Sequence, residues 1–238
     1  MRESIVSQTV KNIRRQWHFC SNHSTSLSGR IVVMWDPAHI SFEPVYVNEQ
    51  ALHGKVTLPN MQVINVSFIY GLCDSRARKK LWSDISFCAR CFKKNPWTLL
   101  GDFNVTRFTH EHNNNGRVTK AMEEFNSAIR YAELEDLRST GFKFTWNNMR
   151  SGSAAISKKL DRALGNWEWF RIFGDSYAHT YNQGISYHSP ISIQMRQQVQ
   201  TAGRPFKFLN FWAQHPDFLG IVRHIWSQAH VGSPLQII

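Results

Sequence analysis

Apolar positions along the chain fall into two spacings. In MQVINVSFIY (61–70) they alternate with polar ones. Ile64, Val66, Phe68 and Tyr70 then share one face, with Asn65 and Ser67 on the other, which predicts a strand ended by Gly71. RIVVMW (30–35) is a continuous apolar run closed by the turn-forming Asp36-Pro37 and reads as a buried strand. ALHGKVTL (51–58) gives another before Pro59-Asn60. From Ser75 to Lys94 the spacing turns helical. Leu81, Ile85, Cys88 and Phe92 form its apolar stripe, Arg76, Arg78, Lys79 and Lys80 face solvent, and Asn95-Pro96 stops it. A second helix is predicted behind an N-cap at Thr119, with Met122, Phe125 and Ile129 on one side. WTLLGDFNV (97–105), FKFTW (142–146), KKLDRAL (158–164) and PISIQM (190–195) complete the strand candidates.

Strands that alternate with helices, together with hairpin-like pairs, predict an α/β fold with mixed sheets. Residues 1–29 show no clean period, end in a polar stretch, and read as an irregular N-terminal segment. Residues 30–197 hold the α/β domain, and 198–238 change character to an aromatic-rich loop and helix that open a further region. No internal repeat or low-complexity tract is present in the 238 residues.

Charge narrows the partners. Twenty-eight Lys and Arg against seventeen acids give a net charge of +11, which favours a polyanion, nucleic acid first; a merely basic surface is the plainer reading. No apolar run approaches the roughly 18 residues of a membrane span. The first residues lack a signal-peptide apolar region; being basic and acid-poor, they carry a faint transit-peptide trait. Nothing points to a membrane or to an obligate protein partner. Cys20, Cys73, Cys88 and Cys91 read as thiols.

Asp102 and Asn104 flank Phe103 at the end of an apolar strand, where α/β sites form. A carboxylate and an amide there can hold a water and a phosphate oxygen, although Gly-Asp and Asn are also ordinary turn residues. Asp161 is an odd residue for a strand unless paired, and His188 is its natural partner. A carboxylate on a histidine fixes the tautomer and raises basicity, which suits acid–base work; a strand-edge aspartate and a loop histidine are the alternative. Cys88 and Cys91 lack the second pair that structural zinc needs. His110-Glu111-His112 does not have metalloprotease spacing and reads as a solvated loop.

In order, WTLLGDFNV, FTWNN, KLDRAL and SYHSP resemble the motifs of the endonuclease/exonuclease/phosphatase (DNase I-like) superfamily. GRIVVMWDP, VSFIYG, STGFKFTWNN, KLDRALGNWEW and the tail KFLNFWAQHPDF are most similar to the endonuclease domain of plant LINE-type (non-LTR) retrotransposon proteins, the tail resembling the connector to a reverse transcriptase. The resemblance implies a four-layer sandwich of two mixed β-sheets between helices, and magnesium-assisted hydrolysis of phosphodiesters in DNA, in the nucleus for an intact element. It implies that Asp102 orients or deprotonates water, that Asn104 and Tyr70 contact phosphate, and that His188, paired with Asp161, stabilises the pentacovalent phosphate. The chain departs from the family at two points. The family's opening Asn strand and metal-binding Glu have no counterpart, so the domain is expected to be incomplete at the N-terminus. Tyr187 stands where the family's last motif has an Asp. Magnesium prefers charged hard oxygens, and a phenol with a pKa of about 10 is neutral at pH 7. The expectation is a weakened or inactive nuclease with no intact metal set. A non-cleaving nucleic-acid-binding module and a phosphatase of the same superfamily are the alternatives.

Overall fold

The structure, a computed structural model, describes residues 3–26, 28–114, 116–196, 208, 212–213 and 215–228. In chain order its helices are α1 (Glu3–Ile13), α2 (Ser75–Phe92), α3 (Lys120–Tyr131), α4 (Trp167–Ile172) and α5 (Phe218–Trp226). The strands are β1 (His18–Ser21), β2 (Val32–Trp35), β3 (Ser41–Val47), β4 (Ala51–Thr57), β5 (Val63–Tyr70), β6 (Trp97–Asp102), β7 (Glu135–Asp136), β8 (Arg138–Gly141), β9 (Trp146–Asn147), β10 (Ser157–Lys158), β11 (Asp161–Gly165), β12 (Tyr177–Thr180) and β13 (Ile191–Gln194).

The fold is mixed α/β. Six strands form one sheet in the order β3-β4-β5-β6-β11-β7, parallel only between β5 and β6. The β5–β6 crossover runs through α2, as parallel neighbours require. Three strands form a second sheet, β13-β12-β8. β1 pairs with β2, and β9 with β10, as two-stranded ribbons. Edge strand β3 carries Pro44 and a register shift beside it, both of which blunt an open edge.

Each face of the large sheet has its own core. On one side Leu81, Ile85, Cys88 and Phe92 of α2 and Phe125 and Ile129 of α3 cover Trp97, Leu99 and Leu164. On the other, Val66, Leu52 and Ala163 meet Val33 of β2, Ala178 of β12 and Trp169 and Phe173 around α4. Both helix stripes lie where their spacing placed them. Thr119 caps α3 as expected, its Oγ1 accepting from the Met122 amide at 3.3 Å, and Asp74 Oδ1 caps α2 by accepting from the Ala77 amide at 2.8 Å.

Four expectations need correction. Residues 1–29 are not irregular: they hold α1, which buries Val6 and Val10 one turn apart, and β1. FKFTW is not a strand; only Trp146 of it enters β9, and the backbone hydrogen bonds of Phe142 and Thr145 go to different segments, to Thr180 and to Lys158 and Ser189. Arg78 does not face solvent but is buried, with Nη1 donating to the carbonyls of Leu72 (2.6 Å) and Asn104 (3.0 Å). Glu111 is likewise buried, paired with Arg162 and accepting the Arg107 amide at 2.6 Å. No helix among the described residues is long and apolar enough to cross a membrane.

Contacts divide the chain into residues 1–199 and 200–238. Within the second unit the described part is chiefly α5, and residues 198–207, where the connector was expected to begin, lie outside the described residues.

Candidate active site

Sheet register builds the site. Tyr70 of β5 pairs with Asp102 of β6, and Asp102 pairs with Asp161 of β11, so three functional side chains share one rung. Gly101 makes this approach possible: its φ is +137°, and a Cβ there would lie 2.1 Å from the Ile69 carbonyl oxygen. Beyond the strand Asn104 adopts φ 52°, which Asn tolerates, and closes a turn by donating its amide to Asp102 Oδ1 at 2.8 Å. The turn and the site are therefore one structure.

His188 arrives on the loop before β13. Its backbone bridges to Trp146, and its amide donates to Ser186 Oγ at 3.1 Å. Thr145 ties this loop to β11. Its hydroxyl accepts the amides of Leu160 and Asp161, both at 2.9 Å, while its carbonyl accepts the Ser189 amide at 2.7 Å. Thr145 and Arg78 escaped sequence reasoning because their partners are backbone groups, which leave no residue-type signature. Arg30 was also missed: its Nη1 donates to Tyr70 Oη at 2.7 Å, and the guanidinium lies over the Tyr70 ring.

His188 Nδ1 meets Asp161 Oδ2 at 2.9 Å, and Nε2 stands 3.9 Å from Asp102 Oδ2, too far for a hydrogen bond. Burial, then the Asp161 charge, push the Asp102 carboxyl up to about 6, against the Asn104 amide and the His188 and Arg78 charges that favour ionisation. The Asp161 hydrogen bond holds His188 above its ordinary value despite burial. Once ionised, Asp102 is a base, and while His188 is protonated its Nε2–H is a donor beside it.

Asn104 Nδ2 donates to the Gly71 carbonyl at 2.9 Å and to Asp102 Oδ2 at 3.2 Å, so one hydrogen of its side-chain amide anchors the turn and the other orients Asp102. Tyr70 Oη accepts from Arg30 and keeps its own hydrogen for an outside acceptor. Tyr187 is exposed, and its carbonyl accepts the Asn147 amide at 3.1 Å.

Asp102, Asp161 and His188 offer ligand atoms within 4.8 Å of one another. Two carboxylates crowded enough to raise Asp102 suit a divalent cation, and magnesium is commonly held by one or two carboxylates with water and phosphate oxygens completing its shell. The donor set fits the ion, with no third carboxylate in the cluster.

No family model matches the sequence, and no curated protein matches it. Solved structures match the fold. Beta toxin from Staphylococcus aureus superposes with a TM-score of 0.55 at 11% identity, over 82% of this chain and 83% of that one. An endonuclease/exonuclease/phosphatase family protein from Bacteroides thetaiotaomicron gives 0.51 at 11% identity, over 78% and 77%. The chain shares its overall fold with these two structures. Truncated TDP2 of Caenorhabditis elegans also matches, with a TM-score of 0.50 at 9% identity over 80% of each chain. At such identities the likeness is one of backbone alone, and the chemistry rests on the side chains described above.

Proposed function

We propose that this is a DNA-binding nuclease domain of LINE-type retroelement origin that hydrolyses phosphodiesters slowly with a divalent metal. The observation that carries the reading is the rung Tyr70–Asp102–Asp161 with His188 poised between the two carboxylates. Asp102 takes the proton of an attacking water. His188 Nε2–H donates to a phosphate oxygen and, held cationic by Asp161, offsets the charge that develops there. Tyr70 Oη–H donates to a second oxygen, and Asn104 holds Asp102 in place. Asp102 and Asp161 would hold magnesium, which when bound supplies charge neutralisation and a more acidic water.

Slowness follows from Tyr187, a neutral phenol where a further carboxylate would strengthen the metal's hold. The retroelement origin is supported by the ordered motifs from GRIVVMWDP to KLDRALGNWEW. A four-layer arrangement is supported by the two cores on opposite faces of the large sheet. The net charge of +11 favours sequence-tolerant DNA binding that outlasts catalysis.

Supercoiled plasmid tests both parts. Slow nicking that needs magnesium, is lost in Asp102→Ala and accompanies salt-sensitive binding is expected. Fast nicking would refute the impaired metal hold, and the absence of binding at low salt would refute the DNA reading.

A further inference from the structure

We propose that a cleft at the far end of β6 from Asp102 binds a nucleotide unit of single-stranded nucleic acid. β6 is six residues long, which puts the cleft floor at Trp97 roughly 17 Å from the carboxylates. The cleft has a volume of about 470 Å³, within the range of small-ligand sites. Its walls carry Arg90, Lys93 and Lys94 from the end of α2, Tyr131 from the end of α3 and Trp167 from the start of α4.

The floor is already satisfied. Asn166 Oδ1 accepts the amides of Trp97 (3.0 Å) and Trp169 (2.9 Å), and its Nδ2 donates to the carbonyls of Asn95 (2.9 Å) and Phe92 (3.4 Å). The Phe92 carbonyl at the end of α2 and the Asn95 carbonyl beyond it are thus bonded from within. Two acids line the cleft, and both face cations: Glu168 binds Arg171 at 2.7 Å, and Glu133 lies 3.9 Å from Lys93. Arg90 spends one N–H on Tyr131 Oη at 3.3 Å, and neither it nor Lys94 has a carboxylate partner among the described residues.

Two exposed rings between cations match a nucleotide: a base stacks on Tyr131 or Trp167 while Arg90 and Lys94 take its phosphate. A duplex offers only base edges, so rings in a concave site call for an unpaired base. The site requires no metal and no hydrolysis, so it stands apart from the proposed nuclease chemistry.

The test titrates the full chain against labelled oligothymidine over a salt series. Replacing Arg90, Lys93 and Lys94 together with Ala should weaken binding at least about tenfold. It should also shrink the log–log salt slope by about two, three contacts at about 0.7 each. Trp167→Ala should weaken binding about fivefold or more through lost stacking. Affinity and slope unchanged in a triple variant with the parental circular dichroism would overturn the proposal. If that variant does not fold, Lys94→Gln decides in its place, with about twofold weakening expected and no change overturning it. Competition by adenosine monophosphate shows that a lone nucleotide suffices, and competition only by oligonucleotide shows that a strand is needed; both support the site. Failure of oligothymidine to bind at low salt overturns it.

Discussion

His53 and His188 each hold an aspartate through a ring nitrogen, Asp84 at 2.8 Å and Asp161 at 2.9 Å. Around His53 the hydrogen bonds form a closed chain. Trp97 Nε1 donates to Ser67 Oγ at 2.8 Å, Ser67 Oγ meets His53 Nδ1 at 2.7 Å, and Asn48 Nδ2 also donates to Asp84 at 2.9 Å. An indole nitrogen only donates, so the protons point from Trp97 through Ser67 and His53 towards Asp84. Cys88 completes a trio of possible metal ligands there, but burial pushes its thiol up to about 12. Each ring nitrogen of His53 already has a partner, and His53 and Ser67 are fully buried. Around His188 the chain stays open. Nε2 has no hydrogen bond to Asp102 across 3.9 Å, and Asp102 is held near 6 by burial and by Asp161. In the proposed reading a histidine–aspartate pair becomes reactive by keeping one donor uncommitted beside a carboxylate that resists ionisation; the pairing alone only builds structure.

The largest difference should appear in catalysis. Asp102→Ala and His188→Ala are each expected to lower magnesium-dependent nicking by about a hundredfold or more, as loss of an acid–base group usually does. Asp84→Asn should leave the rate per folded molecule unchanged. Equal losses in Asp84→Asn and His188→Ala would erase the distinction between the pairs.

Stability should show the reverse. His53→Ala strands Ser67 and Asp84 and leaves a cavity under α2, at a cost of about 3 kcal/mol. His188 is partly solvated, and its replacement by Ala should cost no more than about 1 kcal/mol. Urea unfolding of the two variants measures both, and comparable midpoints would contradict the closed-network account.

The open pair was more legible in the sequence than the closed one, and the reason is local. Asp102 and Asn104 end or follow an apolar strand, and Asp161 and His188 begin or precede one, where a polar residue needs explaining. His53 sits inside ALHGKVTL and Ser67 inside VINVSFIY, where polar residues on one face of a strand look solvated. Only α2, laid across that face, turns them into core. Arg162 and Glu111 lie 51 residues apart, so neither advertises its buried partner. α1 was invisible for a simpler reason: it buries only Val6 and Val10, too sparse a stripe for periodicity to register. The mixed α/β class and the strands β5 and β6 were readable; their order in the sheet and the buried polar wiring around the site were not.

Acid–base linkage provides a third contrast. Asp102 titrates near 6 in the fold against an ordinary 3.8, so between those values the native state keeps a proton that the unfolded chain releases. Stability therefore falls as pH rises through that window, by up to about 3 kcal/mol for a shift of about two units. His188, also raised, contributes stability that is present at low pH and lost as pH climbs through its folded value, so both groups act in the same direction. In chelator, Asp102→Asn should flatten most of this slope and melt higher than the parent at pH 7.5. A parental slope that survives the substitution would place its origin elsewhere.

The smallest effect should come from the residue that sits between the open pair's loop and solvent. Tyr187 is 56% exposed, so a carboxylate placed there would act on a bound cation largely through water. Unit charges about 4 Å apart in water interact by roughly 1 kcal/mol, and a divalent ion doubles this, before salt and side-chain freedom reduce it. Tyr187→Asp is therefore expected to lower the magnesium concentration needed for half-maximal nicking by less than about tenfold. It should leave the rate at saturating metal nearly unchanged, because His188 Nε2 and Asp102 keep their places. The equivalent change near the closed pair, Tyr46→Asp beside the stacked His53 ring, should leave the metal dependence untouched. A magnesium titration of both variants makes the comparison. If Tyr187→Asp raised the saturated rate by orders of magnitude, Tyr187 would be blocking the chemical step itself, and the open pair would be open only after that substitution.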